Sequence, residues 1–170
     1  GLSACGSDND DHSIVVKQPI KEPLSDCFWQ GPYVIDNPKT NFAFPDTGST
    51  YWSAKYTLPE GASLRLKGDF PYARYMSINS YREDTTPAYT ISDSKIIPNQ
   101  NNINPFMNGN ARNNLNRAYA LNITSGEAPE AGGIANTIYD ATKSGNPSLL
   151  VYRVYVADKG KSLMGGVKLP

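Results

Sequence analysis

From Tyr51 onward, apolar and polar residues alternate with a period of two over several short runs, the pattern of strands that bury one face. Tyr51 to Leu58 sets Trp52, Ala54, Tyr56 and Leu58 against Tyr51, Ser53, Lys55 and Thr57. The turn-forming Pro59-Glu60-Gly61-Ala62 then leads to Leu64 and Leu66, which predicts a hairpin. Tyr75 to Tyr81 places Met76 and Ile78 on one face and Tyr75, Ser77, Asn79 and Tyr81 on the other. That second face is polar and aromatic together, which makes it a candidate contact surface. Tyr89 to Ile91 reads as a short strand and Ala118 to Ile123 as a longer one with Tyr119, Leu121 and Ile123 inward. Leu149 to Val156 is apolar on both faces, as a central strand must be.

Nearer the start, Tyr33-Val34-Ile35 is a strand stopped by Asp36-Asn37-Pro38, and Ile14 to Leu24, broken by Pro19 and Pro23, suits an extended edge segment. Ile134, Ile138 and Ala141 stand at helical spacing, so one or two helical turns are expected within Ile134–Thr142 and nowhere else. Between Pro98 and Asn116 the chain is rich in asparagine and lacks either period, which predicts a long irregular excursion in which Asn serves turns. The sum is a mainly β fold, an antiparallel β-sandwich or jelly roll with at most one short helix.

Composition adds limits. The chain has 170 residues, enough for one domain. With 14 Gly, 13 Pro and only 19% charged residues it favours turns over helices, while 11 Tyr supply bulk to bury. Sixteen Lys and Arg balance sixteen Asp and Glu, so the basic surface of a nucleic-acid binder is not expected. No run approaches the ~20 apolar residues of a spanning helix.

The opening residues Leu2-Ser3-Ala4-Cys5 resemble a bacterial lipobox, in which small residues precede a cysteine that receives lipid after cleavage. The resemblance implies that residues 1–4 are a signal-peptide remnant and that Cys5 is the lipid attachment site. Residues 5–13, acidic and without bulky apolar groups, then form a flexible tether ahead of a single domain over 14–170. Gly6, where inner-membrane lipoproteins of Gram-negative bacteria carry Asp, implies the outer membrane. Lipid on Cys5 leaves Cys27, beside Phe28 and Trp29, as a small buried apolar residue; otherwise the two cysteines could pair.

Three further elements are carried together: Tyr51-Trp52, the segment Phe70-Pro71-Tyr72-Ala73-Arg74-Tyr75-Met76-Ser77, and Tyr152-Arg153-Val154-Tyr155 leading to Gly165-Gly166-Val167-Lys168-Leu169-Pro170. In this combination the chain, from about Thr47 to its end, resembles a group of uncharacterised exported bacterial proteins. The resemblance implies an exported β-rich domain that continues past Pro170, and it carries no reaction to transfer.

Candidate chemistry is thin. The single histidine, His12, falls in the tether, so neither a Ser-His-Asp nor a Cys-His arrangement is expected within the domain. Asp46-Thr47-Gly48 echoes the aspartic-protease tripeptide, but Phe44-Pro45 precedes it where an apolar strand is needed, so a turn is expected. Asp8, Asp10 and Asp11 lack EF-hand spacing, and no phosphate cradle is present; no metal or cofactor is expected. Arg74 and Arg153 sit among aromatic residues, where a buried guanidinium must find carboxylates, carbonyls, a ring or a ligand. Arg74, Tyr75, Asn79, Tyr81 and Arg153 are therefore the candidate binding residues.

These readings lead to a lipid-anchored cell-envelope protein, at the outer membrane, that acts without catalysis as a structural or binding subunit. Its expected partners are the membrane, through the anchor, and other envelope proteins. One alternative is a carbohydrate-binding module stacking Tyr and Trp on sugar rings. Another is a hydrolase using a carboxylate pair drawn from Asp69, Glu83, Asp84, Asp93, Asp140 and Asp158.

Overall fold

A computed structural model describes residues 28–34 and 48–170. The expected strand at Ile14–Leu24, the tether, Cys5, His12, Cys27, and Asp46 and Thr47 of the Asp-Thr-Gly turn lie outside the described residues.

The protein is mainly β, a sandwich-like pair of sheets. Eight strands follow in order: β1 (Gln30–Val34), β2 (Ser49–Thr57), β3 (Leu64–Asp69), β4 (Ala73–Tyr81), β5 (Pro87–Ser92), β6 (Ala118–Thr124), β7 (Thr137–Tyr139) and β8 (Pro147–Ala157). Strands β1-β2-β8-β4-β5 form one sheet and β3-β6-β7 the other. Strand β8 is central, as its two apolar faces predict, pairing antiparallel with β2 and β4. Between the sheets lie the inward residues Trp52, Ala54, Met76, Ile78, Leu150, Tyr152 and Val154 of the first and Leu66, Tyr119, Leu121, Ile123 and Ile138 of the second. The inward sets predicted for β2, β4 and β6 are all found there, because with strict alternation only one face of each strand can shed water.

Two expectations give way. Strands β2 and β3 do not form a hairpin: β2 bonds β1 and β8, while β3 bonds β6. The turn at Pro59, closed by the Ala62 N–H donating to the Pro59 carbonyl at 3.0 Å, carries the chain from one sheet to the other. Alternation fixes which face of a strand is buried, but both faces of a sandwich layer look alike to it, so partners escape it. The helix expected in Ile134–Thr142 is instead β7, parallel to β6, with Asn122 opposite Thr137 and Ile123 opposite Ile138. Ile134 is 70% exposed, so its spacing from Ile138 marks no buried helical face. Asn136, at φ 53, starts the strand; its amide donates to the carbonyls of Ile97 (2.7 Å) and Ala120 (3.0 Å) and accepts from the Ile97 N–H. The β-branched Thr137 and Ile138 that follow suit a pleated strand better than a helix. The helical content among the described residues is one 3-10 turn, Asp93–Lys95.

The asparagine-rich excursion is built as expected, from turns held by side-chain amides. Asn104, fully buried, donates to the carbonyls of Asp93 and Ile96 and accepts from the Phe106 N–H. The excursion ends in Arg117, also buried, which sequence reading passed over.

Arg117 explains the Phe70-Pro71-Tyr72-Ala73 segment. This is the corner at which the chain leaves β3 in one sheet for β4 in the other, and a corner cannot bond into either ladder. Its four carbonyls are capped one by one: Phe70 O by Arg117 Nε (2.5 Å), Pro71 O by Arg117 Nη2 (3.1 Å), Tyr72 O by the Asp158 N–H (2.9 Å), and Ala73 O by Arg112 Nη2 (2.7 Å). The Arg117 guanidinium also stacks on Tyr72 at 3.6 Å. A planar fork of five donors can serve several carbonyls at once, which no other side chain can do.

Candidate functional site

The three-stranded sheet packs on one face of the five-stranded sheet, and among the described residues no strand covers the other. Register shows which side chains share that outer face. Tyr51 of β2 stands opposite Tyr33 of β1 and opposite Arg153 of β8, and Arg153 in turn stands opposite Ser77 of β4. Because the pleat repeats every two residues, β8 also presents Leu149, Val151 and Tyr155 here, and β4 presents Tyr75, Asn79 and Tyr81. Tyr155 pairs with Tyr75, Val151 with Asn79, and Leu149 with Tyr81; on β2, Lys55 lies across from Leu149. Five tyrosines, Tyr33, Tyr51, Tyr75, Tyr81 and Tyr155, therefore line one sheet face, each of them half-buried.

The face is ordered by its own contacts. The rings of Tyr33 and Tyr51 lie 5.1 Å apart, tilted by 31°. Burial, with Tyr33 beside it, raises the Tyr51 hydroxyl above its usual pKa, an effect that Arg153 opposes. Between Tyr75 and Tyr81 runs a polar strip: Thr90 Oγ1 donates to Asn79 Oδ1 at 2.8 Å, and Asn79 Nδ2 donates to Ser77 Oγ at 3.1 Å. Rings held at the edges of β4 with hydroxyls and an amide between them make a rigid amphipathic platform, suited to a ligand with alternating flat apolar faces and polar edges.

Of the candidate binding residues, Tyr75, Asn79, Tyr81 and Arg153 come together on this face. Arg74 does not: it is exposed, and alternation sets it off the tyrosine face. The buried arginine among aromatics is Arg117. Sequence reading passed over Tyr33, and it set Tyr51 and Tyr155 on strand faces without joining them to Tyr75; the joining signal is the register across four strands. Cys5 lies outside the described residues.

A second place is an open cavity of about 460 Å³ lined by Arg82, Glu83, Asp84, Ala141, Thr142, Lys143 and Asn146. Arg82 forks onto the exposed Glu127 at 3.0 and 3.1 Å. Bonds from the Thr86 hydroxyl and N–H hold Asp84 below the usual carboxylate range. Behind the cavity Asp140, fully buried, accepts from Tyr56 Oη (3.1 Å), Ser148 Oγ (3.0 Å) and the Thr142 N–H (2.9 Å), an arrangement that ties β2, β7 and β8 together. Asp93, whose carboxyl burial raises, spends its oxygens on the N–H groups of Met76 and Ser94 in the core. Neither buried carboxylate faces a second one in its hydrogen bonds, so both read as structural ties rather than an acid and base. Among the described residues no group of three metal-binding side chains assembles, and no helix is long and apolar enough to cross a membrane. No protein-family model, curated protein or solved structure matches the chain.

Proposed function

We propose that this protein is a non-catalytic binding domain of the bacterial cell envelope, lipid-anchored through Cys5 at the outer membrane, that works through the tyrosine face of its five-stranded sheet. The observation that carries the reading is that register collects five half-buried tyrosines on one sheet face, around a hydrogen-bonded strip of Ser77, Asn79 and Thr90. Tyrosine offers large contact area at small entropic cost and is enriched where proteins touch partners. The lipobox-like Leu2-Ser3-Ala4-Cys5 supports the anchor.

Two measurements test it. Mass spectrometry of the mature N-terminus should find Cys5 acylated, and Cys5→Ser should move the protein from the membrane to the soluble fraction. Hydroxyl-radical footprinting should show Tyr75 and Tyr81 protected in intact envelopes and reactive in the purified protein. A free Cys5 thiol overturns the anchor; equal reactivity in both settings overturns the contact face.

A further inference from the structure

We propose that the tyrosine face binds an acidic polysaccharide, a chain of sugar rings bearing carboxylates. The inference rests on the reading of this face as the contact surface and names what it contacts.

Charge selects the ligand. The outward positions fixed by register are Tyr33, Tyr51, Ser53 and Lys55 on β1 and β2, Leu149, Val151, Arg153 and Tyr155 on β8, Tyr75, Ser77, Asn79 and Tyr81 on β4, and Thr90 and Ser92 on β5. None of these carries a carboxylate, and both charged residues, Lys55 and Arg153, are cationic. A chain with balanced overall charge thus presents a purely positive, tyrosine-lined face, complementary to an anion with flat apolar surfaces.

Geometry selects sugars among such anions. Tyr75 and Tyr81 are six residues apart on β4, about 20 Å at ~3.3 Å per residue, so the platform is a track longer than one ring. Arg153 stands two residues along β8 from Tyr155, about 7 Å away, within reach of a carboxylate on a ring stacked over Tyr155 or Tyr75. The strip of Thr90, Asn79 and Ser77 offers neutral donors and acceptors for ring hydroxyls between the two ends. A lipid leaflet would instead want exposed aliphatic groups, whereas Val151 is 6% exposed.

The test uses affinity electrophoresis of the whole protein through gels containing polygalacturonate, the same polymer with its carboxylates reduced to alcohols, or polyglutamate, an anion without sugar rings. Retardation is expected with polygalacturonate, weakened about tenfold in affinity by carboxyl reduction and by Tyr81→Ala, the scale of one lost good contact. Lys55→Gln, at an exposed position where folding is not at stake, should weaken it severalfold, and Arg153→Gln more. Equal retardation by the carboxyl-reduced polymer overturns the acidic specification. Polyglutamate binding that ignores Tyr81→Ala reduces the face to a bare charge, which overturns the proposal. So does binding to phosphatidylglycerol vesicles in place of any polysaccharide. If all three polymers fail while Tyr75 and Tyr81 stay protected in envelopes, this inference falls and the contact-surface reading stands.

Discussion

Tyr119 carries its hydroxyl into the core, fully buried, with no hydrogen-bond partner among the described residues. Gly68 on the neighbouring strand is what makes room: a Cβ there would stand 2.8 Å from the Tyr119 oxygen and 2.9 Å from Pro170 Cβ. A buried hydroxyl without a partner costs about 1–3 kcal/mol on protein scales, so removing it should not hurt. Tyr119→Phe is therefore expected to leave stability unchanged or raise it. Gly68→Ala should cost about 1–3 kcal/mol through overpacking. In the Tyr119→Phe background the same substitution should cost less, but not nothing, because Pro170 still crowds the site. Urea unfolding of the four proteins closes the cycle; a Tyr119→Phe loss of more than ~1 kcal/mol would mean that the hydroxyl has a partner after all.

At the scale of elements, the corner Phe70-Pro71-Tyr72-Ala73 is held from outside by the segment 158–170. The Tyr72 N–H donates to the Gly165 carbonyl at 2.8 Å, Lys161 Nζ sits 4.4 Å from the Tyr72 ring centre, and Trp29 Nε1 donates to the Pro170 carbonyl at 2.7 Å. Gly165 lies at φ 74, and a Cβ on it would meet Pro71 Cβ at 2.6 Å. Gly165→Ala combines a left-handed backbone cost of about 1–2 kcal/mol with that clash. Its expected signature is local: the Tyr72 and Asp158 amides should lose hydrogen-exchange protection and the segment should become the first site of proteolysis, while the Tyr152 and Leu121 amides stay protected. Unchanged protection at Tyr72 would show that Gly165 is not what clamps the corner. These elements also mark where the sequence speaks and where it is silent. Strands β2, β4, β6 and β8 were legible because each alternates over enough residues to leave one buried face. Strand β7 was not, since three residues carry no period and Ile134, Ile138 and Ala141 imitate a helix. The outward side chains of β4 and Arg153 were legible as a surface. Their union with Tyr33, Tyr51 and Tyr155 was not, because it depends on hydrogen-bonded partners some 20 to 100 residues away. Arg117 hid for a related reason: the asparagine-rich residues before it are irregular, and only the corner they pack against gives its guanidinium a task.

For the whole molecule, the core holds phenols that cannot ionise where they are. Burial raises the pKa of Tyr119 and Tyr152, and burial with the Asp140 carboxylate beside it raises that of Tyr56, in each case above the ordinary 10.0. In the unfolded chain the same groups release protons near that ordinary value. A folded pKa raised in this way contributes stability that is complete below pH ~10 and is lost as pH rises further, because only the unfolded state then gains by deprotonation. Each phenol is worth about 1.4 kcal/mol per pH unit in that window, so the three together remove about 4 kcal/mol per unit. A domain with 5–15 kcal/mol of stability should accordingly unfold cooperatively within about two to four pH units above 10. Phenolate absorbance followed alongside circular dichroism checks this: the exposed part of the eleven tyrosines should titrate first, and the last three together with loss of the β signal. Tyr56→Phe should flatten the alkaline slope of unfolding stability by about a third, since one of three linked protons is gone. If instead all phenols titrate smoothly near pH 10 while the β signal persists, the buried hydroxyls are open to solvent and the packing between the two sheets is looser than Tyr119 and Tyr152 imply.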